Sequence, residues 1–125
     1  GETVTVHGDG EQSRDFTFVD TAVEVLADAV ARRVTSDDPV NLAFGTRTSV
    51  NEAVALLSDV FGRELDVCHG APRPGDVRHS QASTVALRKL FPDIAPVSLR
   101  AGLVATVNWM ESMGEAYTTH AKVPA

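Results

Sequence analysis

Two glycines placed directly behind a short strand pattern constrain the fold of this 125-residue chain more than any other feature. Residues 4–6 alternate in the manner of a half-buried strand, and Gly8 and Gly10 follow at once. Because glycine adopts positive φ angles at little steric cost, this spacing predicts a tight turn. The turn leads to Arg14, and a guanidinium presented by a rigid turn suits bidentate binding of a phosphate or carboxylate. The alternative is that Arg14 pairs with Asp15 or another nearby acid on a solvated loop.

A second arginine lies in a similarly stiff segment later in the chain. Arg73 stands within the Pro- and Gly-rich residues 71–78, and Asp76 follows it three residues later. Two rigid arginine turns and a nearby carboxylate could bind a nucleoside diphosphate, with the cations on the phosphates and the acid on the ribose hydroxyls.

Four segments in a fixed order extend this pattern over residues 4 to 113. They read, in chain order, GDGEQSRDFTFVD, NLAFGTRTSVNE, RPGDVRHSQA and VSLRAGL. This order resembles the C-terminal half of nucleotide-sugar epimerases and dehydratases, the extended short-chain dehydrogenase/reductases typified by UDP-glucose 4-epimerase. The resemblance implies an isomerase-type enzyme in which bound NAD oxidises the sugar transiently. It also implies that this chain is the substrate-binding domain, residues 1–125, without the N-terminal Rossmann half.

The resemblance assigns a role to each candidate site residue. It implies that Arg14 and Arg73 bind the diphosphate of a UDP-sugar or related nucleotide-sugar, and that Asp76 accepts hydrogen bonds from the ribose. Thr5 and His7 fall at the strand edge that faces the nucleobase in the family, largely through backbone groups. The family usually has an aromatic residue at the His7 position, so His7 could stack on the base. A partly exposed strand histidine without a ligand is the alternative.

The features that would make the chain an enzyme by itself are absent. The spaced-glycine dinucleotide fingerprint between a strand and a helix does not occur. The catalytic Tyr-x-x-x-Lys is also missing, since the only tyrosine is Tyr117 and Ala121 lies four residues later. We therefore expect no catalytic residue, no bound NAD and no metal site in this chain, with NAD used by the full-length enzyme. The rival readings are a standalone non-catalytic nucleotide-binding or interaction module, and part of a dehydratase or reductase.

Composition and charge bear on which partners the chain binds and on where in the cell it is found. A net charge of −6 argues against a nucleic-acid-binding surface, which needs a basic face. No apolar run is long enough to span a membrane and no leader pattern is present, so neither membrane nor secretion is expected. The single cysteine, Cys68, cannot form an internal disulfide and fits a reducing cytoplasm. We expect Cys68 to be a small buried residue.

Strand and helix signals alternate along the chain, which predicts a small α/β domain. Capping boxes at 21–24 and 49–52 and a cap at Ser98 mark helix starts, and Gly62 marks a helix end. Strands are predicted at residues 4–6, 40–44 and 65–68. Four helices are predicted, and they begin at the two capping boxes, near Ser83 and at Ser98. The first helix is expected to end at residues 36–39 and the third at Phe91. The tail, 115–125, is expected to fray.

Without a Rossmann half, the helix face of Val23, Leu26 and Val30 is expected to be partly uncovered. This predicts a homodimer or domain-swapped oligomer.

Overall fold

Short strands alternate with helices in the computed structural model, which describes residues 2–114. The elements in chain order are β1 (Val4–His7), β2 (Ser13–Arg14), α1 (Val19–Arg32), β3 (Thr48–Ser49), α2 (Val50–Phe61), β4 (Val67–Gly70), α3 (Val85–Leu90) and α4 (Leu99–Ser112). The predicted α/β class is confirmed. The predicted frayed tail lies outside the described residues.

Two small sheets bring distant segments together. β1 pairs with β4 in parallel, with Val4 opposite Val67 and His7 opposite Gly70. β2 pairs with β3 antiparallel, with Arg14 opposite Thr48. Since parallel strands end at the same edge of a sheet, the loops that follow β1 and β4 lie side by side. These are the two loops that contain the predicted arginine turns.

Local capping signals located α2 and α4 correctly. The Ser49 side chain accepts a hydrogen bond from the Glu52 backbone N–H, and the Glu52 side chain accepts one from the Ser49 N–H, which forms the predicted capping box. Gly62 ends α2 in the left-handed conformation. Ser98 caps α4 by accepting a hydrogen bond from the Ala101 N–H.

The boundaries of α1 were predicted wrongly. The helix begins at Val19, and Thr21 is a buried helical residue whose hydroxyl oxygen accepts a hydrogen bond from the Val97 N–H at 3.1 Å. The Thr21 hydroxyl therefore bonds to a backbone group far away in the sequence and does not cap the helix as predicted. The helix ends at Arg32, ahead of the predicted stop, because Arg33 turns into the left-handed region at φ 53°.

Three other element predictions need correction. Residues 40–44 do not form a strand, since they are unpaired with any strand in the described part of the chain. β4 lies two residues beyond its predicted position, at Val67–Gly70. The N-cap of α3 is Thr84 rather than Ser83, and the helix ends at Leu90.

The main core is small and lies between α1, the 40–44 segment and α3. Its buried members are Val25, Phe44, Leu87 and Phe91. Phe44 holds residues 40–44 in place by packing in this core, without strand pairing. Trp109, on α4, is 49% exposed.

Surface features complete the description. Cys68 is exposed rather than buried, because its strand face is not covered by another element. Among residues 2–114, no helix combines the length and apolar character needed to cross a lipid bilayer.

Candidate functional site

The turn after β1 requires glycine. Gly8 and Gly10 have φ angles of 80° and 75°, as the spacing predicted. A Cβ on Gly10 would lie 1.9 Å from Oδ1 of Asn51. Nδ2 of Asn51 donates to the Asp9 carbonyl at 2.9 Å, so the start of α2 is fastened directly to the turn.

β2 then delivers Arg14 to the second arginine loop. The Ser13 N–H donates to the Arg78 carbonyl at 2.9 Å, and the Ser80 N–H donates to the Ser13 carbonyl at 3.1 Å. These bonds fix β2 against residues 78–80. Arg14 consequently lies next to the loop that contains Arg73.

The Arg73 loop is a hydrogen-bonded turn. The Asp76 N–H donates to the Arg73 carbonyl at 3.2 Å, and Gly75 has a φ angle of 80°. Proline at the second position and a positive φ at the third are the features of a type II turn. Asp76 is thereby held on the side of the loop that faces β2.

Arg14 on β2 forms an ion pair with Asp76 of the Arg73 loop. Both side chains are about one-third exposed, at 32% and 34%. Nη1 of Arg14 also donates to the carbonyls of Ser13 and Val77, at 2.8 and 2.7 Å. Pairing of Arg14 with an acid was one of the two alternatives from the sequence, and the acid is Asp76.

Asp15, the adjacent acid, has a different function. Its carboxylate accepts hydrogen bonds from the Gly45 N–H at 2.8 Å and from the Thr46 hydroxyl at 2.6 Å. It therefore fastens the loop after residues 40–44 to the end of β2.

All five predicted site residues border one open cleft of about 490 Å³. They are Thr5, His7, Arg14, Arg73 and Asp76. A neighbouring cleft of about 480 Å³ shares His7, Arg73 and Asp76 with the first. The Arg73 side chain is exposed and forms no hydrogen bond or ion pair within the described part of the chain. The structure thus brings the candidate residues together, and their binding roles stay predictions.

Sequence reasoning missed three further residues at these clefts. Gln12 borders both and donates from Nε2 to the His7 carbonyl at 2.8 Å, which secures the end of β1. Arg78 pairs with Asp9 at 2.8 Å. His69 contacts the Gly8 carbonyl through Nδ1 at 2.8 Å. Gln12 and Arg78 belong to the two quoted motifs, so their proximity to the site could have been inferred from the same order of segments.

The acid at the tip of the first turn is held in its charged form. Asp9 accepts hydrogen bonds from the Glu11 N–H and from Arg78, and these, the first foremost, lower the pKa of the Asp9 carboxyl below its ordinary value. The tip of the turn therefore keeps a negative charge that Arg78 offsets.

His7 has a defined tautomer in this arrangement. Its Nδ1 lies 3.3 Å from the Ala71 carbonyl oxygen. Because a carbonyl oxygen can only accept, Nδ1 carries the hydrogen in this contact, and in a neutral ring Nε2 is then a free acceptor.

The glycine turn after β1 differs from a dinucleotide-binding turn of the Rossmann type. A dinucleotide site of the Rossmann type needs a glycine turn that leads from a strand into a helix, whose N-terminal N–H groups face the pyrophosphate. Here the glycine turn leads into β2. The first N–H groups of α2 are already bonded, Val50 to the Gln12 carbonyl, Asn51 to the Gly10 carbonyl and Glu52 to the Ser49 hydroxyl.

No family model matches the chain, but individual relatives do. The chain is 32% identical over 114 residues to GDP-mannose 3,5-epimerase 1 of Oryza sativa subsp. japonica. The alignment covers 90% of this chain and 29% of that protein. The crystal structure of UDP-glucose 4-epimerase from Thermotoga maritima with UDP-glucose superimposes with a TM-score of 0.80 at 31% identity. That match covers 91% of this chain and 36% of the epimerase. The chain belongs to the epimerase/dehydratase family.

The part of the family that the chain matches is the C-terminal part of the extended short-chain dehydrogenase/reductases. A UDP-N-acetylglucosamine 4-epimerase from Methanobrevibacter ruminantium M1, in complex with UDP-N-acetylmuramic acid, gives a TM-score of 0.77 at 32% identity. It covers 90% of this chain and 36% of that enzyme. The chain spans 28% to 36% of the length of the curated relatives it matches.

Proposed function

We propose that this chain binds the nucleoside diphosphate part of a nucleotide-sugar, with a UDP-sugar as the expected ligand. The observation on which the proposal rests is the convergence of Arg14, Arg73, Asp76, Thr5 and His7 on one cleft. Solved relatives at 31% and 32% identity hold UDP-glucose and UDP-N-acetylmuramic acid, which supports UDP as the nucleotide.

The side chains that border the cleft suit the parts of this ligand. Two guanidinium groups offer planar N–H forks to a diphosphate, and charge-assisted bonds of this kind are the strong ones. The Asp76 carboxylate has acceptor capacity for ribose hydroxyls. His7 and the edge of β1 also border the cleft, and an aromatic base could stack on the imidazole.

The first prediction concerns the two cations. Arg14→Ala and Arg73→Ala should each weaken UDP binding by about 1.5–3 kcal/mol, because each removes a charge-assisted contact to a phosphate. Isothermal titration calorimetry measures this directly. Arg100→Ala is the matched control, since Arg100 is exposed on α4 and does not border the cleft. Unchanged affinity in both cleft variants would show that the diphosphate assignment is wrong.

The second prediction concerns catalysis. We expect no epimerase turnover and no NAD binding by this chain alone, because the dinucleotide fingerprint and the Tyr-x-x-x-Lys pair are both absent from its sequence. In the full-length enzyme this part would hold the nucleotide while the hydride chemistry takes place elsewhere. Conversion of UDP-glucose to UDP-galactose by the purified chain would contradict the prediction.

A cytoplasmic location belongs to the same proposal and is supported by the single, free cysteine.

A further inference from the structure

We infer that Asp76 is a positioning residue for Arg14, so that one carboxylate links the diphosphate subsite to the ribose subsite. This inference rests on the proposed function, and it adds a task to the ribose contact already assigned to Asp76. Three observations support it: the donors that Arg14 has used, the oxygen that Asp76 has left, and the contrast with Arg73.

The Arg14 guanidinium is fixed but not exhausted. Of the five N–H groups on a guanidinium, Nη1 donates to the Ser13 and Val77 carbonyls and Nη2 donates to Asp76. The groups left without an acceptor among residues 2–114 are the Nε–H and the second Nη2–H. Nε and Nη2 lie on the same edge of the planar guanidinium, and this is an edge through which an arginine can bind a phosphate.

Asp76 has one oxygen for each task. Its Oδ1 accepts from Arg14, while Oδ2 accepts no hydrogen bond in the described part of the chain. A carboxylate can therefore hold the guanidinium with one oxygen and accept from a ribose hydroxyl with the other. The type II turn at 73–76 fixes the backbone of Asp76, so the carboxylate is held between the two loops.

The second arginine provides an internal comparison. Arg73 borders the same cleft, yet its guanidinium has no acceptor within the described residues. An arginine without partners loses side-chain freedom when it binds an anion, whereas a prealigned one has lost most of that freedom beforehand. Arg14 should therefore be ordered before the ligand arrives and Arg73 only afterwards.

A competing effect has the opposite sign. The Asp76 charge opposes that of the diphosphate and occupies one donor of Arg14, so its removal could strengthen anion binding. Alanine and asparagine substitutions separate the two effects. Asp76→Ala removes both the charge and the acceptor, whereas Asp76→Asn removes the charge and keeps an oxygen that can still hold Arg14.

The first measurement needs no ligand. NMR relaxation of the arginine Nε–H groups in the 125-residue chain reports the order of each side chain. We expect the Nε–H of Arg14 to be more ordered than that of Arg73, to become more mobile in Asp76→Ala, and to stay ordered in Asp76→Asn. An Arg14 side chain that keeps its order in Asp76→Ala overturns the inference.

The second measurement uses inorganic pyrophosphate, which has no ribose. An NMR titration, suited to weak binding, should show affinity weakened roughly three- to tenfold in Asp76→Ala, as expected for one side chain that must be ordered on binding. Asp76→Asn should bind pyrophosphate no more weakly than the parent. Equal or tighter binding by Asp76→Ala means that Asp76 contacts only the ribose, or competes with the ligand, and rejects the positioning role. A parent chain that binds neither UDP nor pyrophosphate instead contradicts the proposed function, while the relaxation experiment still decides the role of Asp76.

Discussion

At the scale of single residues, His7 offers the sharpest test of where in the cleft the base binds. The ring lies at the end of β1 with its Nδ1 near the Ala71 carbonyl, and it borders the cleft. Stacking of a base on an aromatic or imidazole ring contributes about 1–3 kcal/mol. We expect His7→Ala to weaken UDP binding by about this amount and His7→Phe to preserve it.

Pyrophosphate is the control for this prediction, because it has no base to stack. Its affinity should be the same in the parent, His7→Ala and His7→Phe when measured under identical salt conditions. Equal losses for UDP and pyrophosphate in His7→Ala would indicate a disturbed loop. Unchanged UDP affinity in His7→Ala would show that His7 is a strand histidine that does not contact the base.

At the scale of elements, the start of α2 connects the stability of the site to pH. The Glu52 carboxylate accepts hydrogen bonds from the Ser49 N–H at 2.7 Å and from the Ser49 hydroxyl at 3.0 Å. These bonds, the backbone one foremost, lower the pKa of Glu52 below its ordinary value of 4.5. A lowered folded-state pKa means that folding favours the ionised carboxylate. The resulting stability is complete above about pH 4.5 and is lost as the pH falls through the folded-state pKa.

Glu52→Gln should therefore be less stable than the parent at neutral pH, and the difference should narrow on acidification. As the pH falls through the lowered folded-state pKa, the parent carboxyl is protonated and loses this advantage over the amide. Urea unfolding at a series of pH values gives both free energies of unfolding. Glu24→Gln, at an exposed position on α1, is the matched control and should show no such convergence. A constant gap between parent and Glu52→Gln would contradict the assignment.

The elements also show which features the sequence determines locally. The caps of α2 and α4 and the positive φ angles of Gly8, Gly10 and Gly62 depend on neighbouring residues, and all were predicted. The start of α1 was not, because the Thr21 hydroxyl bonds to Val97, a partner far away in the sequence. The strand expected at 40–44 failed for a similar reason, since an apolar run can be buried by packing, as Phe44 is, without pairing to a strand.

The candidate site divides along the same line. The family's segment order named five candidate residues, each in a recognisable turn or strand, and all five border one cleft, while their binding roles stay predictions. The ion pair of Arg14 with Asp76 depends on how β2 lies against residues 78–80. No local pattern specifies that placement, so the sequence could not single out Asp76 as the acid that pairs with Arg14.

At the scale of the whole molecule, α1 presents an apolar stripe that the described residues leave uncovered. Val19, Val23, Leu26 and Val30 are 63%, 57%, 59% and 79% exposed, and their spacing places them along one side of the helix. The partial exposure predicted for Val23, Leu26 and Val30 is confirmed. Apolar stripes of this kind on a folded chain mark contact surfaces.

We expect a second copy of the chain to cover this stripe in solution. Two α1 helices related by a two-fold axis would place the stripe against itself, since the same surface serves both partners. Size-exclusion chromatography with light scattering should give a mass near twice 13.3 kDa that falls on dilution. Leu26→Asp should shift the equilibrium toward the monomer because it places a charge within the apolar contact. Ala55→Asp, the same kind of change at an exposed position on α2, is the matched control. A mass of 13.3 kDa that persists up to high micromolar concentration refutes the dimer, and a dimer that Leu26→Asp leaves intact places the interface on another surface.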